Sequence, residues 1–342
     1  MKGYTRRRIG SFAVSLVVGL SALFLLLHAL PGGETARLAP SVAADPQARA
    51  AVAAAEGRDR PLPTQYRDHM VGLIQGDLGR SIADGSPVAD TVGPAAALSF
   101  QLGILAAVMG MPTGLVAGAM AALRPRRKAD GVVRLTALVA VSVPSYWLAV
   151  LLLVYVGERW PDLVPRPAAF GAGPGGAGME LRGLILPALV LAVGAFGMVA
   201  RTIRSALIDV LDGDDVRFAR AMGMSDAQVL RRIGLRNAAP TAVTVAGMVA
   251  AGLLAGTVLV ENVFGVPGLG QLLVTSFGRH DHPVAIAAAS VTAVAYLGMN
   301  LVVDLVVHAL EPSAGTPARG GHDSWNHRDG DSAQLPRSAG TS

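Results

Sequence analysis

Apolar residues in this chain come in blocks of about 20, separated by shorter polar stretches. A bilayer core of about 30 Å takes about 20 residues of helix, so each block is long enough to cross it. Six such blocks are present, at residues 9–30, 95–123, 132–156, 184–200, 241–260 and 284–310. The polar stretch 201–240, between the fourth and fifth blocks, reads RTIRSALIDVLDGDDVRFARAMGMSDAQVLRRIGLRNAAP. It cannot lie in hydrocarbon, because each central Arg or Asp would cost about 2.5–3.5 kcal/mol on the insertion scale. It is not patterned as a loop either. Val216, Ala219 and Met222 recur at helical spacing, and so do Val229, Leu230 and Ile233. Gly223 falls between the two sets, and glycine tolerates the positive φ of a turn. Ser225 and Gln228 have the spacing of a capping box, so a second helix can begin at once. The pattern predicts a short helix, a glycine turn and a second helix that feeds the fifth span.

Composition agrees with a membrane protein. Hydrophobic residues make up 52% of the chain and charged residues 15%, against about 25% charged in an ordinary soluble domain. Mean hydropathy is +0.47. The net charge of +5 comes from arginines beside the apolar blocks, where a positive-inside bias puts them, and needs no nucleic acid to explain it. Arg6 to Arg8, Arg124 to Lys128 and Arg201 to Arg236 then lie on the cytoplasmic side, with both termini. No cysteine is present, which removes disulfides, thiolate metal sites and cysteine nucleophiles. The only lysines are Lys2 and Lys128, and neither belongs to a GxxxxGK[ST] phosphate loop.

In chain order, a basic N-terminus (1–8) leads into the first span, which is too long for the apolar region of a typical cleaved signal. A polar segment at 31–94 follows, outside the membrane. In it Tyr66, Met70, Leu73 and Ile74 can share one helical face. Residues 95–310 form the core, with kinks expected at Pro112 and Pro144. Residues 261–283 read as an outer loop, and 311–342 as a disordered cytoplasmic tail poor in large apolar residues. Asn300 and Asp304 are four apart and share a helix face. Either a transport pathway or a contact with a neighbouring helix would account for them, and Pro144 reads either as a pathway residue or as a kink beside interfacial aromatics. His280, Asp281 and His282 are adjacent, and adjacent residues rarely converge on one ion, so no metal site is assigned. His28 and His308 have no evident catalytic partners, and neither HExxH nor GxSxG occurs.

Several phrases carry a resemblance. Ala219, Gly223 and then, after nine residues, Ile233 and Leu235 resemble the cytoplasmic coupling (EAA) motif of ABC-importer permease subunits. The wording Arg217-x-Ala219-Arg220-Ala221-x-Gly223, with Arg236-Asn237-x-x-Pro240 after it, is similar to the dipeptide/oligopeptide/nickel branch. LPGG, PLPTQY, GDLGRS, SVPSYWL, LILPALVLA, ENVFGVPGLG and NLVVDL resemble phrases of that branch in the same order. Arg217 and Phe218 depart from the Glu-Ala that opens the general motif, and Arg236 stands where many families have proline.

The resemblance implies an all-α permease fold with six spans and both ends cytoplasmic, and an elbow at 201–240 that sits on a separate ATPase. Arg217, Ala219, Arg220, Ala221, Gly223, Ser225, Ile233, Leu235, Asn237 and Pro240 are the coupling residues it implies. It also implies partners: ATPase subunits that carry ATP and Mg, a second permease subunit, similar or identical, with a heterodimer favoured, and an extracytoplasmic solute-binding protein. This chain itself would bind no cofactor and would not be an enzyme. Peptides lead as the solute class, with nickel chelates, opines and glutathione-like solutes behind them. The alternative, an ion-coupled secondary transporter, requires interrupted helices in matched halves and ion ligands at the midplane. Neither is evident in the sequence.

Overall fold

A computed structural model describes residues 2–29, 47, 60–164, 181–279 and 281–310. The tail at 311–342, most of the extracytoplasmic segment before residue 60, and His280 lie outside the described residues. So does the side chain of His28. The described chain is helical, with one isolated bridge between Arg80 and Pro87. Five helical stretches are long and apolar enough to cross a membrane: Thr5–Leu26, Val88–Leu123, Arg182–Leu211, Asp226–Phe264 and His282–Ala309.

The first long helix, α1 (Lys2–Ala29), already includes Arg6 to Arg8, so the basic N-terminus is its opening turns and not a separate segment. Next comes α2 (Leu62–Gln75), which leans on the outer end of α1. There the Ser21 and Tyr66 hydroxyls are 2.6 Å apart, and Phe24 lies edge-on to Tyr66 and stacked on His69. The shared apolar face expected of α2 stops short of its end. Tyr66, Met70 and Leu73 are half-buried, but Ile74 is 87% exposed.

Helix α3 (Val88–Leu123) begins earlier than its apolar block suggested and keeps Pro94 and Pro112 inside it. At 36 residues it is roughly 54 Å long, more than a bilayer core. Its Gly110, Gly114 and Gly118 form a stripe at four-residue spacing against α6 (Leu181–Leu211). A Cβ at any of them would fall within 3 Å of the backbone of Ala192, Phe196 or Ala200. The two helices therefore touch backbone to backbone, a contact that small residues permit and larger ones forbid.

Between α3 and α6 run α4 (Lys128–Ser142) and α5 (Ser145–Tyr155). The third apolar block was expected as one span with a kink. Instead the two helices meet at 96° around Pro144, which is the N-cap of α5. Proline disfavours helical geometry at the residue before it, and Val143 is accordingly extended, with ψ 122. Counting this bent pair as one broken span gives six spans among the described residues.

Past α6, α7 (Asp214–Ala221) and α8 (Asp226–Val229) form the elbow. A π-helical turn at Leu230–Gly234 joins α8 to α9 (Leu235–Phe264), so the elbow's second arm and the fifth span are one continuous path. The stretch 261–283, expected as a loop, is mostly helical. Glu261 still belongs to α9, α10 (Leu269–Gly278) is a short helix, and α11 (His282–Leu310) starts directly after it.

Buried polar groups pin this outer region. The Glu261 carboxylate is wholly inaccessible. Oε1 accepts from the Ser99 hydroxyl of α3 at 2.6 Å, and Oε2 accepts from the N–H groups of Gly270 and Gln271 at 2.7 and 3.2 Å. Ser99 Oγ in turn accepts from Leu269 N–H at 2.8 Å. A helix N-terminus presents free N–H groups and a partial positive charge, so one carboxylate both caps α10 and ties it to α3 and α9. Close by, the buried Asp281 accepts from Ser81 Oγ at 2.5 Å and from Ile82 N–H at 3.2 Å, tethering the GDLGRS turn to the start of α11. Just after that phrase, donation from the Ser86 backbone amide, and then from its hydroxyl, holds the Asp84 carboxyl below its ordinary range.

Candidate functional site

The elbow is built from the cytoplasmic end of α6 outward. The expected coupling segment began at 201, but residues 201–211 continue α6, and the chain turns only at Asp212 and Gly213. Asp214 and Asp215 then open α7, where negative charge suits a helix N-terminus, and Arg220 lies in its last turn. Val216 and Ala219 point inward and join the core around Leu207 and Leu211; Val229 of α8 joins the same cluster. Both arms are therefore fixed to the end of a span by apolar contact.

Gly223 makes the turn between the arms, with φ +86. A Cβ there would meet nothing within 4 Å, so backbone conformation and not crowding calls for glycine. Its N–H donates to the Arg220 carbonyl at 2.9 Å. Ser225 then caps α8 reciprocally: its Oγ accepts from Gln228 N–H, while its own N–H donates to Gln228 Oε1. Arg220 bridges the turn to Asp226 at 3.3 Å, and Arg217 pairs with Asp214 at 3.1 Å.

The other predicted coupling residues divide. Ile233 is half-buried in the π turn, and Leu235 and Asn237 are exposed at the start of α9. Pro240 sits inside α9, where the Thr244 hydroxyl donates to its carbonyl. Ala221 is exposed, whereas Ala219 is spent on the chain's own core and offers no surface to a partner.

Two residues of the elbow went unread in the sequence. Met222 recurs at helical spacing with Val216 and Ala219, yet it is 72% exposed, and Phe218 is 68% exposed. They are four apart, so they project together on the outer side of α7. The available signal was phase, since Phe218 is out of step with Val216 and Ala219. The elbow thus presents an apolar pair flanked by Arg217 and Arg220.

The polar pair of the last span is not arranged as a joint site. Asn300 Nδ2 donates to the Tyr296 carbonyl of its own helix at 3.0 Å. Asp304 pairs with Arg8 of α1 at 3.0 Å, with both side chains over a third exposed. Such a pair contributes about 1 kcal/mol or less. Asp304→Asn is therefore expected to leave uptake within about twofold of normal; loss of uptake with the chain still inserted would place Asp304 in the pathway. Asp281, with its carboxylate committed to Ser81 and Ile82, is a tether and not a free ligand.

A second ion pair fastens the α3–α4 turn to α6. The buried Asp130 accepts from Arg204 Nε and Nη2, at 2.5 and 2.9 Å, and from the Arg126 N–H at 2.9 Å. Arg126 is itself at φ 65. The cytoplasmic end of α6 thus carries both this tether and the elbow.

Residues 114–315 match the family described as "Binding-protein-dependent transport system inner membrane component". The chain is 33% identical to the glutathione transport system permease protein GsiC of Salmonella typhimurium (strain LT2), over 92% of this chain and 99% of that one. It is 34% identical to a Brucella abortus (strain 2308) protein provisionally designated a peptide transport system permease, over 90% and 96% of the two chains. Among solved structures, an amino acid ABC transporter crystallised with histidines is similar over 65% of this chain and 94% of that one, with a TM-score of 0.51 at 18% identity.

Proposed function

Since this chain belongs to the binding-protein-dependent transport system inner membrane component family and is a multi-pass permease subunit of an ABC importer, we propose that it carries peptides or glutathione-like solutes inward, driven through its elbow by a separate ATPase. The observation that carries this reading is the outward-facing Phe218 and Met222 pair on α7, flanked by arginines and set on a turn whose inner face is packed onto α6. An exposed apolar pair beside cations suits a groove on another protein, where its burial contributes roughly 1.5–3 kcal/mol per side chain. Movement of such a partner would reach α6 through Val216 and Ala219, and α9 through the continuous path from α8.

The names of the relatives support the solute class, one being a glutathione permease and one a peptide permease. ATP and Mg would reside on the ATPase, a second and similar permease subunit would complete the pore as a heterodimer, and an extracytoplasmic binding protein would deliver the solute.

Reconstitution tests the proposal. Vesicles holding this chain with its ATPase, second permease and binding protein are expected to concentrate a labelled dipeptide or glutathione only when ATP is present on the elbow side. The chain alone should accumulate nothing. Accumulation by the lone chain, driven by an ion gradient, would favour a secondary transporter and overturn the reading. Phe218→Asp with Met222→Asp should lower ATP-driven uptake at least tenfold in the complete system and weaken co-purification of the ATPase. Unchanged co-purification would take the elbow out of the interface.

A further inference from the structure

The α4–α6 contact carries two arginines whose placement the transport reading does not use. These helices run antiparallel, and two points fix their register. At the cytoplasmic end Asp130 of α4 binds Arg204 of α6. Further into the membrane Gly197 of α6 meets α4, where an added Cβ would lie 2.8 Å from the Ala137 carbonyl and 2.9 Å from Ala140 Cβ. Between these points α4 carries Arg134 and α6 carries Arg201. In α4, 130, 134 and 137 fall on one face; in α6, 197, 201 and 204 do. Arg134 and Arg201 therefore stand opposite one another, one turn deeper than the buried pair.

Like charges placed opposite one another repel, and among the described residues neither arginine has an ion-pair partner. The Asp130 carboxylate, one turn away along α4, is taken by Arg204 and the Arg126 N–H. Arg134 acts on Asp130 through space, and Arg201 donates to Met198 Sδ at 3.9 Å. The Asp130 carboxylate is thus committed to Arg204, and the Arg134 and Arg201 side chains are left exposed. Around them the surface is alkyl: Val132, Leu135 and Leu138 on α4 are each about 60% exposed, and Met198 is exposed on α6. A site for a soluble anion would be lined by further polar groups. A charged head above a bare hydrocarbon-facing surface matches a lipid instead.

We propose that Arg134 and Arg201 form a two-armed clamp for the phosphodiester of an anionic phospholipid in the cytoplasmic leaflet. Guanidinium is planar and meets phosphate oxygens through paired N–H donors. The acyl chains would lie along Leu135, Leu138 and Met198. The bound lipid would relieve the repulsion across the contact and so steady the α4–α6 junction beside the elbow. Transport of solute is not required for this, so the clamp stands or falls apart from the transport reading.

The test uses the assembled transporter in neutral detergent, with phosphatidylglycerol, phosphatidylcholine, inorganic phosphate and glycerol 3-phosphate as probes. Retained lipid is read by native mass spectrometry and stability by thermal unfolding. Phosphatidylglycerol is expected to be retained over phosphatidylcholine and to raise the unfolding temperature. Arg134→Gln with Arg201→Gln should weaken its retention at least tenfold, while Arg231→Gln with Arg232→Gln on the elbow should not. Without lipid the Arg134→Gln/Arg201→Gln protein should unfold no earlier than the parent, because like charges have been removed; a purely structural role would lower its unfolding temperature. Arg134→Lys with Arg201→Lys should keep part of the binding. Equal retention by parent and glutamine variant would overturn the clamp. So would stabilisation by free phosphate or glycerol 3-phosphate matching that by the lipid, or absence of selective lipid in the assembled complex, which would point to an acidic group on the second permease.

Discussion

Replacing Gly223 by proline is expected to abolish solute uptake while leaving the chain at its normal level in the membrane. The turn holds this residue at φ +86, and proline is fixed near −65°. Proline would also remove the N–H that bonds to the Arg220 carbonyl. The arms of the elbow would then meet at another angle, although Val216 and Val229 would keep their apolar anchorage. The space around Gly223 is open, so the effect should follow backbone preference and not side-chain size. A residue with a Cβ costs roughly 1–2 kcal/mol in the left-handed region, and asparagine is the best tolerated. Gly223→Asn should therefore keep most of the uptake, Gly223→Ala less, and Gly223→Pro none. Uptake of labelled solute, normalised to the amount of chain in the membrane fraction, checks the series. Full uptake by the proline variant would show that the angle between α7 and α8 does not matter to transport.

The second large effect lies at the other end of the molecule. Glu261→Leu is expected to destabilise the outer region on the order of 3 kcal/mol or more, because it strands three donors in a dry interior. Those donors are the Ser99 hydroxyl and the N–H groups of Gly270 and Gln271. Glutamine keeps one acceptor oxygen but turns an NH₂ toward a donor, so Glu261→Gln should fall between. Gly268→Ala attacks the same junction from outside, since its Cβ would lie 2.4 Å from the Glu261 carboxyl carbon. It should lower the thermal unfolding temperature in detergent by an amount comparable to Glu261→Gln. An unfolding temperature unchanged by Glu261→Leu would mean that α10 is held by its apolar contacts alone, those of Leu269 with Val88, Val92 and Val284 among them.

These two sites also show how far the sequence could be read. At the elbow, nearly every cause is local. A positive φ, a capping box and an apolar stripe involve residues within a few positions of each other, and Gly223, Ser225, Gln228, Val216 and Val229 could be placed from spacing alone. Met222 shares the spacing of Val216 and Ala219 but not their burial, because spacing gives a helix's phase and not where the helix ends; it lies at the C-cap of α7. Glu261 was taken for the start of a loop. Its partners, Ser99 and Gly270, are 162 and 9 residues away, and no local rule joins a carboxylate to a hydroxyl that distant. The 96° break at Pro144 lies between these cases. Proline announced a disturbance, but its size depends on what α5 packs against.

Blocks of apolar residues, positions of arginine and the order of short phrases were enough to determine an all-α membrane protein with six apolar segments and a helical elbow. Such features depend on transfer free energies and backbone preferences, which each residue carries with it. Which glycines face α6, which acids are consumed in tethers and which apolar residues are left outside were decided only when distant segments met. Burial and hydrogen bonding are properties of pairs, and the pairs are set by packing.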